Sequence, residues 1–174
     1  MRSVDRVNSW QVRRLRYDDV HQLLETIRSV RKEFGLANRV TALLEPSDYA
    51  ILDVYRHRRS VYFVAVAEGR VLGGAGIFPL TGGDWGTCEL QRMYLCSQCR
   101  GQGIGRALLA ACLDTARSFG YERCYAETVA EMSTAIAFYE RHGFRRLPAP
   151  IGETGHGHSD VWLMLGLGAQ ATYI

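Results

Sequence analysis

The stretch Arg100-Gly101-Gln102-Gly103-Ile104-Gly105 decides the fold of this chain, because it joins a strand-like run to a helical run. Residues 88–95 have the composition of a strand, and residues 106–119 place apolar side chains at helical spacing. Three glycines in six residues permit torsions and close approaches that a Cβ would forbid. A loop that opens into a helix points backbone N–H groups and the positive helix end at one spot. With the phosphate-binding donors of Arg100, the stretch predicts a pyrophosphate-binding loop.

Two common phosphate-binding patterns do not fit this loop. A dinucleotide fingerprint needs G-x-G-x-x-G near the start of a βαβ unit, whereas here G-x-G-x-G stands in mid-chain. A P-loop needs Gly-Lys-Ser/Thr, which does not follow. The order Arg-x-x-Gly-x-Gly instead resembles the acetyl-CoA loop of the GNAT N-acetyltransferase superfamily.

Two further motifs carry the same resemblance. Residues 89–95, Glu-Leu-Gln-Arg-Met-Tyr-Leu, resemble the central strand of that superfamily. Residues 135–144 resemble its second helical motif and end in Tyr-Glu-x-x-Gly-Phe. The three motifs have the expected order and spacing, so the chain is identified as a member. The resemblance implies an α/β fold with a mixed, mostly antiparallel twisted sheet, helices on both faces and a splayed central strand pair. It also implies one N-acetyltransferase domain over residues 1–174.

The resemblance assigns acetyl-CoA as co-substrate to the glycine loop and the central strand. Exposed strand backbone beyond the splay would bond to the amide-rich pantetheine arm, much as an added strand does. The cofactor-binding residues expected on this basis are Met93, Tyr94, Leu95, Arg100, Gly101, Gln102, Gly103, Ile104, Gly105, Arg106 and Ser133.

Acetyl transfer to an amine needs a proton acceptor for the amine and stabilisation of the departing thiolate. The resemblance places a catalytic glutamate at Glu89. Glu127 on the next strand is the competing carboxylate, and an ion pair of Glu89 with Arg92 is the structural alternative. The resemblance places Tyr139 near the CoA sulfur, where a phenol of pKa about 10 can donate a proton without ionising at neutral pH.

Three residues are candidates for binding the acceptor: Phe34, Glu127 and His156. Phe34 opens a segment, up to Tyr55, that either walls a substrate pocket or packs in the core. His156 lies in a glycine-rich loop, 152–160, that is too polar for a core, and such loops often carry specificity. We expect direct, sequential transfer to a primary amine of a small molecule or amino acid. The alternatives are a non-catalytic acyl-CoA sensor and a protein or peptide N-acetyltransferase.

Composition sets the remaining expectations. The chain has 174 residues, 47% of them hydrophobic, which suits one globular domain. No apolar run of about 18 residues and no signal-like N-terminus is present, so we expect a cytoplasmic protein without a membrane partner. The net charge is +3, and the one basic cluster, 56–59, is interpreted as a solvated loop rather than a nucleic-acid surface. A homodimer is compatible with these features.

The five cysteines are interpreted as free thiols, because their number is odd and no secretory signal precedes them. Cys96-x-x-Cys99 is expected to occupy a short turn, with a metal or redox role as the alternative. We expect no bound metal, because nothing nearby completes a four-ligand zinc site.

Periodicity and turn residues predict the order of elements. Helices are expected from Asp18 or Asp19 to Gly35, and over 47–58, 106–119 and 133–143. Strands are expected over 10–16, 61–67, 71–78, 88–95, 123–129, 144–147 and 161–165.

Overall fold

A computed structural model describes residues 9–36 and 50–168, which form one seven-stranded sheet with helices on both faces. The strands are β1 Gln11–Arg14, β2 Val61–Ala67, β3 Arg70–Pro79, β4 Thr87–Leu95, β5 Arg123–Thr128, β6 Arg145–Leu147 and β7 Val161–Gly166. The helices are α1 Val20–Glu33, α2 Ala50–Val54, α3 Ile104–Ser118 and α4 Ser133–Arg141. The expectation of a single domain over 1–174 reaches beyond the described residues and stays a prediction.

The sheet order is β1-β2-β3-β4-β5-β7-β6, and its neighbours are antiparallel except for the parallel pair β4 and β5. The helical crossover through α3 makes this pair parallel, because two strands joined by such a connection run the same way. The mixed, mostly antiparallel sheet predicted from the sequence is therefore confirmed. The last strand, β7, lies between β5 and β6 rather than at the edge.

Two apolar clusters hold the helices on opposite faces of the sheet. On one face α1 buries Leu23 and Ile27 against Tyr62 and Val64 of β2. On the other face α3 and α4 pack over alternate residues of the central strands; this cluster includes Cys88, Leu90, Cys124, Ala126, Leu108, Cys112, Ile136 and Tyr139. Since strand side chains alternate between faces, the neighbours of these strand residues point towards α1.

Glycines in β3 make room for tyrosine rings, as glycines inside a strand often do where another group approaches closely. A Cβ added to Gly74 would stand 2.5 Å from the ring of Tyr62, and one added to Gly76 would stand 2.7 Å from the ring of Tyr55. These two rings also contact each other, with centroids 5.1 Å apart. The glycines therefore let aromatic side chains lie flat on the α1 face of the sheet.

The central strand β4 contains a bulge. Gly74 pairs with Tyr94 and Gly76 with Gln91, so two residues of β4 stand opposite one residue of β3. Arg92, in the bulge, has φ of 49°, and its carbonyl accepts a 2.8 Å hydrogen bond from the Tyr62 hydroxyl. The bulge turns the second half of β4 out of the regular register.

Before this bulge, after Glu89, β4 and β5 separate. Their pairing covers only Thr87–Glu89 opposite Arg123–Tyr125, while both strands continue further. The backbone of β4 after Glu89 is thus not bonded to β5. This is the splayed central pair that the family resemblance implied.

The entry to α1 differs from the expected cap. Asp19 lies at the N-cap position, yet its carboxylate bonds to the Arg13 guanidinium at 2.6 and 2.7 Å and to the Arg16 N–H at 2.8 Å, and it caps no N–H of α1. The ion pair therefore fixes β1 to the start of the helix. Gly35, with φ of 71°, ends the helix as predicted.

Two predictions on 47–60 need correction. The second helix spans only Ala50–Val54 among the described residues, and the predicted start at 47–49 lies outside them. Arg59 of the basic cluster is buried rather than solvated. Its guanidinium lies 4.1 Å from the Trp85 ring centroid and 3.9 Å from that of Tyr121. These cation–π contacts offset the cost of removing the charge from water.

The interpretation of Cys96 and Cys99 as free thiols is wrong in this structure. The two residues occupy the expected short turn, but their sulfurs form a disulfide. The three-residue spacing in a 3-10 turn brings the two Cα atoms to 5.4 Å, within the range that a disulfide spans. The remaining cysteines, Cys88, Cys112 and Cys124, are buried and free.

None of the helices in the described segments has the length and apolar content needed to cross a bilayer.

Candidate active site

A cavity of about 310 Å³ lies where the glycine loop, the second half of β4 and α4 meet. It borders the part of β4 that has left β5, so strand backbone and loop backbone face the same space. The lining residues are Val30, Phe34, Met93, Tyr94, Leu95, Arg100, Gly101, Gly103, Gly105, Arg106, Met132, Thr134, Ala135, Phe138, Tyr139 and Arg141.

The glycine loop presents open backbone to this cavity. Gly101 and Gly103 have φ of 76° and 82°, and a Cβ on either would meet no atom within 4 Å. Gly103 is the N-cap of α3, whose first N–H groups have no acceptor inside the helix. An anionic group such as a pyrophosphate fits this end of the helix, because N–H groups and the helix dipole both favour negative charge there.

The guanidinium of Arg100 donates its hydrogen bonds to groups of the protein itself. It makes two bonds to the Glu33 carboxylate, at 2.7 and 2.8 Å, and bonds to the Leu95 carbonyl at 3.2 Å. The hydrogen bond from Arg100 lowers the pKa of Glu33. The side chain expected to bind phosphate thus fastens the loop to the end of α1. Arg106 and Arg141 are the other cations in the cavity wall.

Tyr139 of α4 lines the cavity and is only 7% exposed. Its ring packs against Phe138 and Phe144, with centroids 5.7 and 5.4 Å away. Burial raises the pKa of Tyr139, and the neighbouring Tyr94 adds to the effect. The phenol is therefore neutral at physiological pH and able to donate its proton.

A second group of polar side chains surrounds Glu89. The Glu89 side chain is 3% exposed, and its Oε2 accepts a 2.7 Å hydrogen bond from Gln91 Nε2. Tyr55 in turn donates to Gln91 Oε1 at 3.0 Å. On the other side, His156 Nε2 lies 3.3 Å from Glu89 Oε1. Both carboxylate oxygens of Glu89 therefore have partners.

Glu127 joins this group from β5. Ligand-type atoms of Glu89, Glu127 and His156 all lie within 4.8 Å of one another, a spacing that would also suit a divalent cation. Glu127 Oε1 is buried and has no hydrogen-bond partner among the residues described. Burial raises the pKa of Glu127, and the charge of Glu89 adds to the rise; the bond to Glu89 raises the pKa of His156. The three side chains are thus arranged to hold and exchange a proton.

The two groups lie on opposite faces of the sheet. Glu89 and Glu127 alternate with residues of the α3 and α4 cluster, so they point to the α1 face, whereas Tyr139 belongs to that cluster. The gap that opens after Glu89 lies between them. A substrate held in the gap can therefore be approached from one face by the carboxylates and from the other by the phenol.

Most residues predicted to bind the co-substrate line the cavity, but three do not. Ile104 is fully buried in the core, so only its backbone is available to a ligand. Gln102 donates its side-chain amide to the Gln98 carbonyl, and Ser133 is exposed at the start of α4. Phe34, expected on the acceptor side, lines this cavity instead, 5.4 Å from the Arg100 guanidinium.

Sequence reasoning missed several residues of the site. Met132, the N-cap of α4, and Thr134, in its first turn, line the cavity just before the recognised motif. Arg141 lines it from within that motif. Gln91, which bonds to Glu89, was identifiable by strand periodicity, because it lies two positions along and so on the same face.

The fold and the glycine loop before α3 indicate a class of protein: an acyltransferase that uses acyl-CoA. Comparison with known proteins agrees. The sequence profile of the acetyltransferase (GNAT) family matches residues 22–144. The chain belongs to the GNAT family and is an N-acetyltransferase by that membership.

Two relatives illustrate the range of the family match. The chain is 38% identical over 154 residues to an uncharacterized N-acetyltransferase, YjgM, of Escherichia coli (strain K12), an alignment that covers 88% of this chain and 92% of that protein. It is 31% identical over 129 residues to the IAA acetyltransferase of Azospirillum brasilense, covering 67% and 83%.

Solved structures show the same fold. A GNAT-family acetyltransferase from Staphylococcus aureus Mu50 superposes with a TM-score of 0.81 at 19% identity, covering 92% of this chain and all of that one, 100%. The PaiA N-acetyltransferase of Thermoplasma acidophilum, solved in complex with coenzyme A, gives 0.73 at 18% identity, covering 91% and 99%.

Proposed function

We propose that this protein transfers the acetyl group of acetyl-CoA directly to a primary amine of a small molecule or amino acid. The observation that carries the proposal is the opening between β4 and β5. It begins after Glu89, and the end of β4 beyond it borders the 310 Å³ cavity. The proton-accepting groups lie on one face of the sheet and Tyr139 on the other.

Acetyl-CoA fits the groups present. Gly101, Gly103 and the start of α3 offer N–H groups to the pyrophosphate, and Arg106 and Arg141 add positive charge. The edge of β4 that faces β5 is unpaired along Met93, Tyr94 and Leu95 and offers bonds to the pantetheine amides, although the Leu95 carbonyl already accepts from Arg100. Arg100 and Glu33 contribute by fixing the loop to α1.

The acceptor enters on the face that carries Glu89, Glu127 and His156. An amine arrives largely as a cation, and the buried carboxylate of Glu89 together with the half-buried carboxylate of Glu127 favours a cation there. Glu127, with a buried oxygen that lacks a partner among the described residues, supplies an acceptor for an ammonium N–H. The proton that the amine must lose goes to the cluster around Glu89.

Tyr139 serves the leaving thiolate. Its phenol is neutral and lines the cavity, and it makes no hydrogen bond to another described residue that would withhold the proton. Donation to the sulfur as the carbon–sulfur bond breaks would yield a thiol rather than a thiolate.

The proposal includes a cytoplasmic location, since that is where a cell keeps the acetyl-CoA that the reaction consumes. A homodimer is a further prediction, which light scattering of the purified protein checks.

A thiol-release screen tests the proposal. Purified protein is mixed with acetyl-CoA and a panel of putrescine, phenethylamine, lysine and a short peptide with a free N-terminus. Release of CoA with an acetylated small amine supports the proposed substrate class. Release only with the peptide would move the function to a peptide N-acetyltransferase, and binding without release would identify a sensor.

A further inference from the structure

We propose that His156, rather than Glu89, is the group that takes the proton from the acceptor amine, and that Glu89 is the positioning residue that orients the imidazole. The inference rests on the proposed acetyl transfer and names the residue that touches the substrate on its acceptor face.

Access is the first argument. The Glu89 side chain is 3% exposed and both of its oxygens are engaged, by Gln91 and by His156, so a substrate could reach it only by displacing a partner. The His156 side chain is 20% exposed. His156 is therefore the more accessible member of the pair.

The orientation of the imidazole is the second argument. With Nε2 at 3.3 Å from Glu89 Oε1, the ring donates Nε2–H to the carboxylate, which leaves the lone pair on Nδ1. The side-chain polar contact that the described residues show for His156 uses Nε2, not Nδ1. A buried carboxylate that fixes the tautomer of a more exposed histidine is the arrangement by which a general base is oriented in catalytic triads.

Electrostatics is the third argument. Glu89 and Arg92 face His156 from β4 and Glu127 faces it from β5, while Tyr55 and Tyr125 lie next to the carboxylates. The bond to Glu89 and the two negative charges raise the pKa of His156, and burial and Arg92 oppose them. The balance makes the imidazole a stronger base than free histidine.

The bound ammonium first gives its extra proton to Nδ1 of His156, which releases it to water. The neutral amine nitrogen then forms its bond to the thioester carbonyl carbon, and its second N–H proton passes to Nδ1 of His156. The carbon–sulfur bond breaks, and the sulfur takes the proton of Tyr139. His156 then loses its proton to water and Tyr139 regains one, so the products are an N-acetyl amine and free CoA.

The test compares four variants with the wild type, using the panel amine that gives the highest rate. His156→Gln removes the base, and His156→Ala leaves room for added imidazole. Glu89→Gln removes the positioning charge. His158→Gln is the matched control, since His158 lies in the same loop and is exposed. Rates are measured against pH, and the pKa of His156 is measured by NMR without acetyl-CoA.

The proposal expects kcat to fall about 10²-fold in His156→Gln, with no change in acetyl-CoA affinity. The base must be neutral, so the wild-type rate falls as pH drops through the raised pKa of His156. Glu89→Gln removes the cause of that rise, so the acid limb and the NMR pKa both move to lower pH. Imidazole restores part of the rate of His156→Ala, and His158→Gln matches the wild type.

Wild-type rate and pH profile in His156→Gln would overturn the role of His156 while acetyl transfer itself stands. Loss of wild-type activity in a chelator, restored by a divalent metal, would also overturn it, because the three side chains would then be metal ligands. A wild type that binds CoA but acetylates nothing in the panel would overturn the proposed function and this role together. An NMR pKa of His156 that is the same in the wild type and in Glu89→Gln would contradict the role of Glu89 as the positioning residue of His156. This outcome needs no turnover measurement.

Discussion

Glu89 and Tyr125 form the last residue pair between the two central strands, and the sheet opens immediately beyond them. The same residue that closes the paired region carries the buried carboxylate of the candidate site. Strand geometry thus places the proton-accepting cluster at the edge of the opening. The bulge at Arg92, three residues further on, carries β4 away from β5.

The first prediction concerns the glycine loop. Gly103→Asp places a carboxylate where we propose that a phosphate binds, so acetyl-CoA affinity should fall at least tenfold, or about 1.4 kcal/mol. Gly120→Asp is the matched control: it has φ of 77°, against 82° for Gly103, equally open space around its Cβ, and it lies at the other end of α3. Thermal melts should show a similar loss of melting temperature in both variants, because both place a side chain at a positive φ. Calorimetry should show weaker acetyl-CoA binding only in Gly103→Asp. Equal affinity in the two folded variants would remove the loop from the CoA site.

The second prediction concerns Tyr139. Tyr139→Phe removes one hydroxyl from the cavity wall, so kcat should fall roughly 10²-fold while acetyl-CoA affinity stays within about twofold. Tyr121→Phe is the control, because it removes a buried hydroxyl that bonds to the Arg59 carbonyl at 2.8 Å and lies outside the cavity. It should cost about 1 kcal/mol of folding stability and leave kcat unchanged. Full activity in Tyr139→Phe would mean that the thiolate leaves unaided.

The third prediction concerns the pH dependence of stability. Burial alone would raise the pKa of Asp19, but hydrogen bonds from Arg13 and the Arg16 N–H outweigh it and lower the pKa. Because the folded-state pKa is lowered, the Asp19 carboxylate stabilises the protein at pH values above the unfolded pKa of about 3.9. This stabilisation is lost as the pH falls through the folded-state pKa. Asp19→Asn should therefore reduce the free energy of unfolding by about 2 kcal/mol at neutral pH, and the difference should shrink below about pH 4. Asp18→Asn, on the exposed neighbour, should change the free energy of unfolding little. A loss of stability in Asp19→Asn that is the same at every pH would contradict the role of the Arg13–Asp19 ion pair.

The fourth prediction concerns the cysteines. With one disulfide between Cys96 and Cys99, the denatured protein should titrate three thiols before reduction and five after it. A Cys96→Ser, Cys99→Ser variant should lose no more than about 2 kcal/mol, since the disulfide closes a very short loop. Five thiols without reductant would show that the pair is reduced in the isolated protein.

The sequence predicted those features that depend on local periodicity and short connections. The strand 61–67, the glycine loop and the helix that follows it were located to within two residues, because apolar spacing and glycine positions are local signals. The parallel pairing of β4 with β5 followed from the helical crossover between them.

Features that depend on contacts between distant segments were missed. The burial of Arg59 depends on Trp85 and Tyr121, and the role of Arg100 depends on Glu33, 67 positions away. Sequence patterns placed Glu89 in a half-open cleft, whereas Gln91 and His156 enclose it. Such partners cannot be deduced from spacing, because long-range packing decides which side chains meet.

The central claim, direct acetyl transfer from acetyl-CoA to an amine, is tested most directly by measuring free CoA and acetylated amine together by mass spectrometry over one time course. The account predicts equal amounts of both products, initial rates that depend on acetyl-CoA and amine in a sequential pattern, and no acetylated protein along the way. Acetyl-CoA binding without acetylated amine, or product formed through an acetylated enzyme, would contradict it.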